Sequence, residues 1–152
     1  MVWQWVVKGL IGSSVKERVF QTVAEEIRTR ADEAREGGER TTERCDVGVV
    51  FALGAESGSL EDRLEATDTN RGDGFRICFG QLGTAQVAVA TVGVGRPAAT
   101  RGTEALLAGH RPAVLISAGF AGGLVDGLPR EAVLVPERVV DEQGAEHVPT
   151  AL

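Results

Sequence analysis

Two short apolar runs, each ending in a glycine turn, constrain this chain more than any other feature. Val47-Gly48-Val49-Val50-Phe51-Ala52-Leu53 is followed by Gly54-Ala55, and Ala113-Val114-Leu115-Ile116-Ser117-Ala118 by Gly119-Phe120-Ala121-Gly122-Gly123. A strand covered on both faces needs no polar alternation, so runs of this kind predict buried parallel strands. Between them the pattern changes. Glu56 to Leu64 carries its acidic residues early, as a helix start prefers. Phe75–Leu82 and Gln86–Val92 are β-rich, and Gly83-Thr84-Ala85 predicts a hairpin loop between them. Gly93-Val94-Gly95 ends the second of these, Pro97 suits the first turn of a helix, and the alanines and leucines through Gly109 favour one. Strand, helix and strand within about thirty residues is the βαβ unit of a parallel sheet. Ala132–Val135 with Val139–Val140 predicts one further strand. The fold class is α/β.

The sequence ahead of this half has a different character. Trp3, Val6, Val7 and Leu10 make one helical stripe, Gly12-Ser13-Ser14 interrupts it, and Ser14 with Glu17 reads as a capping box. Val15, Val19, Phe20, Val23 and Ile27 continue the apolar face towards Ala31. Residues 1–31 are therefore expected to form an amphipathic helical extension. The charged, aperiodic stretch 32–44 reads as a polar linker to a domain over 45–152. Tryptophans beside valines suit a helix lying on a membrane surface, or one docked on its own domain or a partner subunit. The segment's slight positive charge favours docking, because an interfacial helix usually has a richer basic face. No apolar run approaches the ~20 residues that span a bilayer, and no export signal is recognised. The expected setting is the cytoplasm, with Cys45 and Cys78 as buried, reduced thiols.

Several chemistries lack their signatures. A formal net charge of −6 argues against general nucleic-acid binding, which needs a basic face. Gly93-Val94-Gly95 is a lone GxG, with Thr100 where a third glycine would stand, so a dinucleotide site is not expected. There is no phosphate-binding GxxxxGK[ST] and no GxSxG elbow. His110 and His147 fall in loop-like contexts with no metal-ligand spacing, so neither metal nor cofactor is expected. Glu56 stands out because it lies just past the first strand beside a glycine turn. It reads either as a general base for a water or as an ordinary first-turn glutamate held by the helix dipole. Glu61 and Asp62 read as a solvated helix face.

Four stretches, in this order, resemble the purine nucleoside phosphorylase and methylthioadenosine/S-adenosylhomocysteine nucleosidase superfamily. They are Val47–Glu56, then Gly80-Gln81-Leu82-Gly83 with Val87–Ala90, then Gly93-Val94-Gly95-Arg96 with the alanine-rich helix, and finally Pro112–Ile116 with the GxAGGL-like Gly119–Leu124. The last is the most specific. The resemblance implies a partial phosphorylase/hydrolase-like three-layer sandwich with a mixed, mainly parallel sheet. It implies cleavage of the N-glycosidic bond of a purine nucleoside through a sugar cation. Glu56 matches the catalytic carboxylate that activates water in the family's hydrolases, where its phosphorylases bind phosphate instead, and Gly54, Gly119, Phe120, Ala121 and Gly122 fall where the substrate pocket is lined. The family's later strands supply a glutamate for the ribose hydroxyls and an aspartate for the purine, and neither is matched here. This chain is therefore expected to be a truncated domain, inactive alone. The competing function is a non-catalytic remnant or binding module. The expected partners are a small-molecule nucleoside and, in a homodimer, a second copy.

Overall fold

The computed structural model describes residues 45–129 and 132–148. The helical extension, the linker and the proposed membrane or subunit contact of the first segment lie outside the described residues. Among the described residues, no helix is long and apolar enough to cross a membrane.

The apolar run after Cys45 becomes β1 (Val47–Phe51), and α1 (Gly54–Glu61) follows it directly. Then come β2 (Glu65–Gly72), β3 (Phe75–Leu82), β4 (Ala85–Thr91), α2 (Arg96–His110) and β5 (Val114–Ser117). These five strands form one mixed sheet in the order β2-β3-β4-β1-β5. β1 pairs in parallel with both β4 and β5, while β3 runs antiparallel to its neighbours β2 and β4. The expected βαβ unit is present: α2 carries the chain from β4 over β1 to β5.

Strand alternation builds two cores. Val47, Val49 and Phe51 of β1 join Val87 and Val89 of β4 under Leu60 of α1. Val50, Ala88 and Ala90 point the other way and pack under Leu106 of α2. The two helices therefore cover opposite faces, which is the three-layer arrangement. The Val-Ala-Val-Ala sequence of β4 has a reason in this geometry. Valines fill the space beneath the short α1, and alanines let the longer α2 come close. Gly102 continues that fit, because a Cβ there would lie 2.3 Å from Cγ1 of Val92. Helix α2 begins at Gly95, whose φ of 97° suits glycine, and Pro97 sits in its first turn.

Two expectations need correction. Ala132–Val135 lies in no strand; only Val139–Val140 pairs, with Glu146–His147, in a separate two-stranded ribbon of β6 and β7. A strand needs a ladder partner, and no described residue pairs with 132–135, whose Leu134 is 67% exposed. β2, by contrast, is exposed along its whole length. It forms because β3 offers a free edge, and a register shift between Glu65 and Asp68 interrupts that ladder. His110 is not in a loop: it ends α2 and stacks on Phe79 of β3 with ring centroids 5.1 Å apart.

Burial holds the His110 imidazole below its ordinary pKa of 6.5, partly opposed by the charge of Asp68. The folded state thus takes up this proton at lower pH than the unfolded chain. Stability from the neutral ring is present above 6.5 and is lost as pH falls below it towards the folded value. Between about pH 7.5 and about pH 5, the urea midpoint of wild type is expected to fall more than that of His110→Phe, which keeps a ring against Phe79 but cannot titrate. Parallel curves for the two proteins would refute this.

Candidate functional site

The site lies at the C-terminal edge of the parallel strands, where open α/β sheets place ligands. Because α2 crosses over β1, the turns after β1, β4 and β5 are neighbours there. Backbone bonds tie them together: Val92 N–H donates to Phe51 O at 2.9 Å, Gly93 N–H to Ala52 O at 3.0 Å, and Ala118 N–H to Val50 O at 3.0 Å.

Glu56 is the third residue of α1 and stands between two of these turns. Its Oε2 accepts the backbone N–H of Leu53 at 2.8 Å. Its Oε1 accepts the backbone N–H of Phe120, from the turn after β5, at 3.1 Å. The first bond is half of a capping box: Leu53, at the helix N-cap, has no side-chain acceptor to return it. The second reaches across 64 residues of sequence. Glu56 is thus a helix-start glutamate and also a clasp between the β1 and β5 turns. Gly119 makes that clasp fit, since a Cβ there would lie 3.0 Å from Oε1. The carboxylate is half-buried.

The structure brings Glu56, Gly119 and Phe120 together. Gly54 opens α1 nearby, and a Cβ on it would meet nothing within 4 Å, so close packing does not require its glycine. Ala121 and Gly122 follow Phe120 in an exposed, irregular loop. Among the described residues, no group of three or more His, Cys, Asp and Glu side chains is placed to hold a metal ion. Both cysteines are buried and free, and burial pushes the Cys45 thiol up to about 12, which leaves it inert at neutral pH.

Sequence reasoning missed a polar cluster beside this site. Ser57, fully buried, lies with its Oγ 3.1 Å from Oγ1 of Thr91 at the end of β4. Thr91 in turn donates to Oε1 of Glu61 at 3.4 Å, and Nη2 of Arg76 from β3 holds Oε2 of Glu61 at 2.5 Å. Glu61, expected on a solvated face, keeps only 11% of its side chain exposed. Its partners come from β3 and β4, so no local pattern announces the cluster.

A family model described as the phosphorylase superfamily matches residues 46–150. Solved structures with the same fold include a 5′-methylthioadenosine/S-adenosylhomocysteine nucleosidase from Neisseria meningitidis in complex with methylthio-immucillin-A. It is 26% identical with a TM-score of 0.52, over 55% of this chain and 36% of that one. The Colwellia psychrerythraea nucleosidase in complex with adenine is 24% identical with a TM-score of 0.52, over 57% and 36%. The S-adenosylhomocysteine nucleosidase of Streptococcus pyogenes in complex with 5-methylthiotubericidin is 18% identical with a TM-score of 0.52, over 59% and 38%. The aligned part of this chain thus corresponds to little more than a third of each. With the family model covering most of the sequence and the mixed α/β sheet agreeing with the expected fold class, the chain belongs to the phosphorylase superfamily.

Proposed function

We propose that this site cleaves the N-glycosidic bond of a purine nucleoside by hydrolysis, with Glu56 holding and activating the attacking water. The observation that carries this reading is the carboxylate clasped between the β1 and β5 turns. With one N–H on each oxygen, lone pairs remain for a water. As the water oxygen bonds to the anomeric carbon, its proton passes to Glu56, and the C–N bond breaks with its electron pair going to the base. A carboxylate at this point repels a phosphate dianion, which favours water over phosphate as nucleophile. Gly54 and the Gly119–Gly122 loop present backbone to sugar and base. The Neisseria nucleosidase is named for 5′-methylthioadenosine and S-adenosylhomocysteine, and that supports 5′-thio-substituted adenosines as the substrate class. Purine salvage in the cytoplasm is the setting this reading implies.

The test is free-base release from 5′-methylthioadenosine, S-adenosylhomocysteine, adenosine and inosine, with and without phosphate, by the natural polypeptide that carries this sequence. Release from the thio-adenosines, independent of phosphate, is expected. Release that requires phosphate would reassign the chemistry to phosphorolysis. Ala121–Gly127 is exposed, so the described residues leave the site open to water, and residues 1–152 alone are expected to release base at background rate. A second reading, a non-catalytic binding or dimerisation module, is favoured by β5, whose outer edge has no partner among the described residues and whose Leu115 is 43% exposed. No release from any nucleoside would favour it.

A further inference from the structure

We infer that Thr91, acting through Ser57 and the Glu61–Arg76 pair, is a positioning residue for the Glu56 carboxylate. The inference rests on the proposed role of Glu56 only for its catalytic meaning; the placement itself is independent of it. Helix α1 has eight residues and buries just two of them, Ser57 and Leu60. A helix this short is marginal by itself and takes its position from what it packs on. One apolar contact lets it pivot, and Leu60 supplies that contact. The remaining constraint is polar. Ser57 follows Glu56 directly, and its Oγ is shared between Gly54 O at 3.4 Å and Thr91 Oγ1 at 3.1 Å. Glu61, the last residue of α1, is held by Thr91 at 3.4 Å and by Arg76. Thr91 therefore touches the helix at its middle and at its last residue from the terminus of β4. It also pairs in register with Phe51 at the end of β1.

A buried hydroxyl or carboxylate left without its partner keeps its desolvation cost with no hydrogen bond to offset it, so this network holds one arrangement and disfavours others. Rotation of α1 would withdraw Glu56 from Phe120, whose N–H comes from a different turn. The amide protons of Leu53 and Phe120 therefore report the carboxylate's position directly, whether or not any nucleoside is cleaved.

The experiment compares amide hydrogen exchange in the full 152-residue chain for wild type, Thr91→Val, Thr91→Ser and Glu56→Gln. Thr91→Val keeps the shape of the side chain and removes its hydroxyl. It is expected to speed exchange at Leu53 and Phe120 about ten-fold, with core amides such as Val49 and Val89 unchanged. Thr91→Ser restores the hydroxyl and is expected to return both amides to within about two-fold of wild type. Unchanged exchange at both amides in Thr91→Val would overturn the inference, as would a general acceleration that includes the core or a loss that serine does not rescue. If base release proves independent of Glu56 while the exchange pattern holds, the hydrolytic reading fails and the positioning stands.

Discussion

In the natural polypeptide that carries this sequence, Glu56→Gln is expected to lower the rate of base release by about 10²–10⁴-fold, with the fold retained. The substitution keeps the length and shape of the side chain. The amide oxygen still accepts one backbone N–H, from Leu53 or from Phe120. The amide nitrogen then faces the other N–H, donor against donor, so one of the two bonds is lost. A half-buried bond of this kind contributes about 1 kcal/mol, small beside the rate effect. What glutamine cannot do is take a proton from water, and the kinetic loss is the measure of that function. Single-turnover rates with the two proteins, beside their urea midpoints, separate the two contributions. A rate within ten-fold of wild type at matched stability would remove Glu56 from the chemistry.

The parts of this fold that were legible in the sequence are those whose own residues carry the pattern, although β5, expected to be buried, alternates half-buried and exposed residues. β1 and β5 follow continuous apolar runs. The β3–β4 hairpin turns at Gly83, with a φ of 62°, as its glycine requires. The parts that were not legible depend on a neighbour or on the lack of one. Glu65–Gly72 has the composition of a loop and becomes β2 because β3 offers unpaired backbone groups. Ala132–Val135 has the composition of a strand and pairs with nothing among the described residues. The site divides in the same way. Glu56 sits at a strand end beside a glycine turn, and position alone marks it. Its bond to Phe120 and the Ser57–Thr91–Glu61–Arg76 cluster join residues 15 to 64 positions apart, and only the sheet order brings them together.

Leu106→Ala is expected to destabilise the domain by about 2–5 kcal/mol. Leu106 is fully buried and anchors α2 on the sheet. Its side chain lies directly over Gly48 of β1, where a Cβ would fall 2.8 Å from Leu106 Cδ2 and 3.0 Å from Pro112 Cγ. In wild type, therefore, Gly48→Ala overpacks this layer and is expected to cost about 1–3 kcal/mol. Truncating Leu106 empties the volume that Gly48→Ala needs. The two changes should then couple, with the double variant more stable than the sum of the single losses by about 1 kcal/mol or more. Urea unfolding of all four proteins gives the coupling energy. Simple additivity would mean that Pro112, or Leu115 at 3.2 Å, limits the space above Gly48 instead of Leu106. The spacing of α2 from β1 would then be set by the turn that enters β5, not by the helix's own anchor.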